Sequence, residues 1–208
     1  MKRPGRDFDY FSALRRLGQQ AGEAGAVLNR LLAAYSREKA GQALEDIHGL
    51  SQKGAALRHE LMKRLAHDFL PPLEREDLAL LAREAGMVLE ALEGAARCLC
   101  QYPFEPLPPG AADLGPLLFL ACREWQAGLA ALSRFREECG IRKRVSGISR
   151  LKRDADSLLL QAGQKLYANS PRPLALAAGS ALLASLAQCF ISCRDALEYL
   201  EVAVIKNR

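Results

Sequence analysis

Residues 65–78, LAHDFLPPLEREDL, end one helix and begin another. The amphipathic run before Pro71 and Pro72 must stop there, because proline lacks the backbone N–H that a helix interior needs. Glu76 and Asp77 then place negative charge in the first turn of the next helix, where the helix dipole favours it. The stretch therefore predicts two long helices joined by a short turn.

The same helix–proline–helix pattern recurs in the second half of the chain. The first copy runs from 57 to 92, and the second, from 158 to 200, turns at Pro171 and Pro173. Two copies of one helical unit indicate a pseudo-symmetric all-α protein. We expect an elongated pair of three-helix bundles joined by a proline-rich linker. The predicted units are 1–101 and 113–208, and the linker is 102–112.

The composition favours helix along nearly the whole chain. Half of the 208 residues are apolar and a quarter are charged, which is typical of a globular protein. Leu, Ala, Arg and Glu are abundant while β-branched residues are scarce, so no strand is predicted. The apolar periodicity predicts six helices, at 8–38, 43–69, 72–101, 113–139, 148–167 and 171–206.

The N-terminus and the six cysteines indicate a cytoplasmic protein. The start MKRPGRDFD lacks the apolar run of a signal peptide. Four ligands at zinc spacings are absent, so we expect reduced thiols that serve as small buried side chains. Residues 173–193 carry no charge and are long enough to cross a bilayer, but their Gly, Ser and Gln content favours a buried bundle helix.

A basic cluster is the densest charge feature of a chain whose net charge is only +5. It lies in the predicted hinge into the fifth helix, where it fits an acidic protein loop or anionic lipid headgroups, with a solvated helix start as the alternative. No aromatic residues are interleaved for base stacking, so nucleic acid is not an expected partner. The cluster comprises Arg142, Lys143, Arg144, Arg150, Lys152 and Arg153.

No catalytic constellation stands out in the sequence. There is no Ser–His–Asp order with supporting context, no glycine loop of the phosphate-cradling kind and no glycosidase-like carboxylate pair. We therefore expect neither enzymatic activity nor a cofactor.

The residues around Pro72 follow an order that points to one family. Leu65, Phe69 and Pro72 form a Leu-x-x-x-Phe-x-x-Pro pattern, which Arg75-Glu76-Asp77 follows at the next helix start. This order resembles the PhoU-like family of phosphate-transport regulators, often encoded beside Pit-type phosphate permeases. The resemblance implies a PhoU-like all-α fold and a cytoplasmic accessory protein whose partner is a phosphate permease or another membrane transporter.

The resemblance also implies where metal ligands would stand. The wider PhoU family binds multinuclear metal clusters through acidic residues one helical turn apart, a spacing that aims both carboxylates at one site. The first-copy positions hold Ser51, Ala55, Gly86 and Glu90, and the second-copy positions hold Lys152, Asp156, Ala187 and Ile191. A hard cation needs several oxygen ligands. The first copy supplies only Glu90 as a carboxylate and the second only Asp156, so we predict that no metal is bound.

We therefore predict that the protein is a non-enzymatic regulator of a Pit-type transporter and that it acts by protein–protein contact. Two alternatives stay open. The first is a metal-binding PhoU-like regulator whose cluster uses other carboxylates, such as Glu84, Glu93 or Asp154. The second is an unrelated helical oligomer. A homo-oligomer and a peripheral position at the inner face of the membrane are also compatible with the sequence.

Overall fold

All regular structure in the described part of the chain is helical. The computed structural model describes residues 8–137, 140–169 and 172–207. The helices are α1 (Tyr10–Ala33), α2 (Arg37–His67), α3 (Arg75–Gln101), α4 (Ala111–Ala131), α5 (Ile141–Asn169) and α6 (Pro173–Lys206), with a short 3-10 helix at Leu132–Arg134. The predicted all-α fold is confirmed.

Four helices form the centre of the molecule and two lie outside them. α1 packs along α4 and α3 along α6, and these contacts join the two halves of the chain. α2 packs on α3 and α1, while α5 packs on α6 and α4. The pairs α2–α3 and α5–α6 thus occupy equivalent places, as the repeat predicts. One hydrophobic cluster extends through both halves, and the division into separate units at 102–112 stays a prediction.

Glycines on α1 allow the close approach of α1 and α4. Gly18 faces the backbone of Gln126, and Gly25 faces Cys122. A Cβ atom at Gly25 would lie 2.7 Å from the Sγ atom of Cys122, closer than real side chains come. The apolar, glycine-containing stripe of the first predicted helix is therefore one of the two surfaces that hold the halves together.

Several helix ends differ from the sequence prediction for local reasons. α2 begins at Arg37 rather than at 43, because the side chain of Ser36 caps it by accepting a hydrogen bond from the N–H of Lys39. α5 begins at Ile141 rather than at 148, directly after Gly140, whose φ of +68° suits glycine. In addition, α1 ends at 33, α3 begins at 75, α4 ends at 131 and α6 begins at 173, while the starts of α1 and α4 and the ends of α2 and α5 each differ by two residues from the prediction. The predicted end of the fourth helix, at 139, and the predicted start of the sixth, at 171, lie outside the described residues.

The proline-rich connection between α3 and α4 is anchored to the bundle. The side chain of Phe104 is buried, and its ring packs edge-on against the ring of Tyr35. The hydroxyl of Tyr35 donates a hydrogen bond of 3.1 Å to the carbonyl of Leu99. The connection therefore holds a fixed position against α1 and the end of α3.

The uncharged stretch of the sequence lies in α6, a core helix with an exposed start. Leu186 and Phe190 are buried, whereas Leu174 in the first turn is 75% exposed. Within the described ranges, α6 is the one helix long and apolar enough to cross a membrane by length and composition, and 39% of its most apolar 18-residue window is buried inside the fold. Its packing on α3, α4 and α5 agrees with the expected bundle helix.

Candidate functional site

The four first-copy positions meet in a cleft between α2 and α3. Ser51 and Ala55 come from α2, and Gly86 and Glu90 come from α3. All four line one cleft of about 230 Å³. The antiparallel packing of two helices that follow one another in the chain brings these positions together.

The guanidinium of Arg58 lies across this cleft. A Cβ atom at Gly86 would fall 1.5 Å from the Nη1 atom of Arg58, so the guanidinium has room because residue 86 is glycine. The Nη2 atom of Arg58 lies 3.7 Å from the Oε1 atom of Glu90. The one carboxylate at a first-copy position therefore faces a cation supplied by the chain itself.

Glu93 and Glu84, which unlike Glu90 are buried on α3, are also paired. The Oε1 atom of Glu93 lies 3.0 Å from the Nδ1 atom of His48 and accepts a hydrogen bond of 2.6 Å from Arg97. Burial disfavours the charged form of Glu93, but the hydrogen bond with His48 and the charge of Arg97 help to outweigh it and lower the pKa of Glu93. Glu84 accepts a hydrogen bond of 2.7 Å from Arg83. Both alternative metal ligands are thus paired with neighbouring side chains, and Glu93 and His48 line the same cleft as Glu90.

At the second-copy positions a carboxylate also pairs with a cation of the chain, here within a single helix, α5. The Nζ atom of Lys152 donates a hydrogen bond of 2.6 Å to the Oδ2 atom of Asp156, one turn along the helix. Ala187 and Ile191 on α6 are partly buried and bring no ligand oxygen in their side chains. Asp154, the remaining alternative ligand, is exposed on α5.

These arrangements do not fit the metal cluster that the resemblance implies. Each metal cation of such a cluster takes several oxygen ligands. Each copy of the repeat offers one carboxylate, which already pairs with Arg58 or Lys152. In the three ranges that the structure describes, no group of three or more His, Cys, Asp or Glu side chains is placed to hold a metal ion. The guanidinium of Arg58 thus lies in the cleft between α2 and α3, and the carboxylates there are not arranged to hold a metal ion.

The structure divides the six-residue basic cluster into two groups. Because α5 begins at Ile141, the cluster lies in the first turns of this helix and not in a hinge before it, which corrects the sequence prediction. Arg144 pairs with Glu124 at 3.1 Å, and Lys152 pairs with Asp156. The other four are exposed on one face of α5, within about 100° of its circumference: Arg142, Lys143, Arg150 and Arg153.

Charge on this α5 face is only lightly compensated. Arg142 lies 3.8 Å from Glu201, yet 82% of its side chain is exposed. Lys143, Arg150 and Arg153 make no ion pair with any residue that the structure describes. This face therefore presents positive charge to an approaching partner.

The described cysteines are buried or half-buried free thiols. The Sγ atoms of Cys122 on α4 and Cys193 on α6 lie 3.9 Å apart in the core. Burial raises the pKa of Cys189 far above its ordinary value, so this thiol stays protonated. These residues behave as the small apolar side chains that the sequence predicts, and Cys139 lies outside the described residues.

Sequence reasoning missed the role of Arg58. The signal that could have found it is Gly86, a poor helix former in the middle of a strongly helical run and one turn before Glu90. A glycine at that place indicates that another group lies against the helix backbone.

Solved structures similar to this one agree on the fold, whereas the sequence comparisons gave no match. No protein-family model matches the sequence, and no curated protein matches it. The structure is similar to a crystal structure of a PhoU-like protein from Shewanella oneidensis MR-1, with a TM-score of 0.81 and 15% identity over 94% of this chain and 99% of that chain. A PhoU-like phosphate regulatory protein from the same organism gives the same TM-score and identity over 95% of this chain and 100% of that chain.

PhoU from Pseudomonas aeruginosa is also similar, with a TM-score of 0.73 and 14% identity over 96% of this chain and 97% of that chain. At these identities the likeness is one of fold, and it extends over nearly the whole length of each protein. The chain therefore has a PhoU-like fold, in agreement with the resemblance of the residues around Pro72.

Proposed function

We propose that this protein is a non-enzymatic, cytoplasmic regulator of phosphate homeostasis that acts by contact with an inorganic phosphate transporter of the Pit type. The observation that carries the proposal is the PhoU-like fold over nearly the whole chain. One of the similar structures is that of a phosphate regulatory protein. The order of residues around Pro72 supports the same assignment independently of the fold.

The pairing of the carboxylates supports action through surfaces. Glu90 faces Arg58, and Asp156 faces Lys152, so each of these carboxylates already has a cation of the chain as its partner. Regulation by this chain then depends on the shape and charge of its helices. The α5 face with Arg142, Lys143, Arg150 and Arg153 is the strongest candidate contact, because it is exposed and an acidic cytoplasmic loop of a transporter would complement it. Such a contact places the protein at the inner face of the membrane.

The proposal is tested by capture of the transporter on the tagged protein. Membranes of the source cells are solubilised in detergent, and the phosphate permease retained by the wild-type chain is quantified at rising salt. We expect capture that weakens as salt rises, because exposed charges are screened over about 10 Å at 0.1 M. Replacing the four exposed α5 cations by Glu should lower capture at least tenfold. Arg144 is left unchanged because a carboxylate there would face Glu124.

The matched control reverses four exposed cations on α1 and α2: Arg15, Arg16, Lys53 and Lys63. This control makes the same change in net charge and should capture the permease as the wild type does. Absence of the permease from the wild-type eluate would overturn the transporter assignment. Equal loss in the control would show that net charge, and not the α5 face, governs capture.

A further inference from the structure

The exposed face of α5 changes from basic to apolar along its length. Leu160 is 64% exposed and Tyr167 is 67% exposed. At about 100° per residue, Leu160 falls in line with Arg142, and Tyr167 lies about 20° from that line. The cations and the apolar side chains thus share one stripe, about 38 Å long from Arg142 to Tyr167.

The start of α6 extends this apolar surface. Leu174, in the first turn, is 75% exposed and follows the end of α5 after a short connection. Lys165 and Arg172 are exposed at the same end of the helix pair. The sequence from 157 to 194 contains no acidic residue. The apolar end of this helix pair is therefore bordered by positive charge on both helices.

A second exposed apolar pair has the opposite charge surroundings. Phe69 and Leu70, between α2 and α3, are 88% and 84% exposed. Three acidic residues, Asp68, Glu74 and Glu76, flank them in the sequence together with one cation, Arg75, and Glu74 pairs with Lys206. An anionic surface would repel those neighbours, so charge distinguishes the α5–α6 surface from an equally apolar turn elsewhere on the molecule.

We propose that the outer face of α5 and the first turn of α6 bind the surface of an anionic lipid bilayer. Arg142, Lys143, Arg150 and Arg153 contact the anionic headgroups. Leu160, Tyr167 and Leu174 enter the boundary between headgroups and acyl chains, where apolar side chains of membrane-surface helices are buried. The tyrosine suits that boundary, since its ring is apolar and its hydroxyl is polar. This binding goes beyond the transporter contact, because it requires no second protein.

The experiment measures binding of the purified chain to vesicles. Vesicles of phosphatidylcholine alone are compared with vesicles that contain phosphatidylglycerol, at low and at physiological salt. We expect sedimentation with the anionic vesicles, weaker binding as salt rises, and no binding to the neutral vesicles. Replacing Leu160, Tyr167 and Leu174 by Ser should lower binding at least tenfold at low salt, and replacing the four α5 cations by Glu should do the same.

The matched apolar control replaces Phe69 and Leu70 by Ser and should bind as the wild type does, as should the four-residue charge control on α1 and α2. Circular dichroism and melting temperature confirm that each variant is folded. A Tyr167→Trp variant reports insertion directly, because the native Trp125 is fully buried and shielded from lipid. Its fluorescence should shift to the blue with anionic vesicles and be quenched by brominated acyl chains.

Failure of the wild type to bind anionic vesicles at low salt would overturn the proposal, as would equal binding by the Leu160, Tyr167 and Leu174 variant. Loss of binding in either control would also overturn it, because the effect would then not belong to this surface. The apolar variant should still capture the permease from detergent, so vesicle binding and transporter contact fail separately.

Discussion

Replacing Leu186 by Asp should abolish stable folding. Leu186 lies in the middle of α6 with no solvent exposure, in the core shared by both halves of the chain. The substitution removes a buried apolar side chain and leaves a carboxylate without a partner. Together these effects should reduce the free energy of unfolding by about 5 kcal/mol or more, comparable with the whole stability of many domains. Chemical denaturation followed by circular dichroism measures the loss.

The matched control is Leu174→Asp in the same helix. Leu174 is exposed in the first turn, where the helix dipole favours a negative charge, so this variant should keep its stability within about 0.5 kcal/mol. A soluble, cooperatively melting Leu186→Asp protein would contradict the placement of α6 in the core. Wild-type protein that stays in membranes after alkaline washing would favour a spanning helix instead.

Replacing Gly25 by Val should separate α1 from α4. The new side chain would meet the Sγ and Cβ atoms of Cys122 at 2.7 and 2.8 Å, and the helices that join the two halves would have to move apart. Overpacking of this kind should lower the free energy of unfolding by about 2 kcal/mol. Thermal and denaturant unfolding of the variant measure the change.

Gly94→Ala on α3 is the control for that substitution. A Cβ atom there meets nothing within 4 Å, so alanine should raise stability by about 0.5–1 kcal/mol through its higher helix propensity. If Gly25→Val were as stable as the wild type, the close contact of α1 with α4 would not hold in solution.

The fold could be predicted because its signals are local and repeated. The prolines at 71 and 72 fix the turn between α2 and α3, and the leucine and alanine periodicity fixes the six helices. Helix ends were less predictable. The cap at Ser36 and the positive φ of Gly140 each set a start that periodicity alone places several residues later.

The candidate site could be predicted only in part. The family resemblance implies which positions meet between α2 and α3, and the residues that stand there show that Glu90 is the one carboxylate among the four. The identity of its partner depends on the path of a long side chain. Arg58 reaches Glu90 across Gly86, a contact that no linear pattern encodes.

The surroundings of the basic cluster could also be predicted only in part. The sequence treats its six residues as one group, but helix geometry directs Arg144 and Lys152 into ion pairs and leaves four cations exposed. The apolar extension of that face became visible only from the burial of the rest of α5, because periodicity alone does not tell which leucines face a neighbouring helix.

The guanidinium of Arg58 reaches into the cleft where the family resemblance implies a metal cluster, and Lys152 stands at one of the implied positions. We therefore infer that the protein folds and acts without metal. The most direct test is the metal content of the purified native protein by mass spectrometry, with its melting temperature measured before and after chelation. We predict substoichiometric metal and an unchanged melting temperature in chelator. Stoichiometric iron, zinc or manganese, together with melting on chelation, would contradict the account.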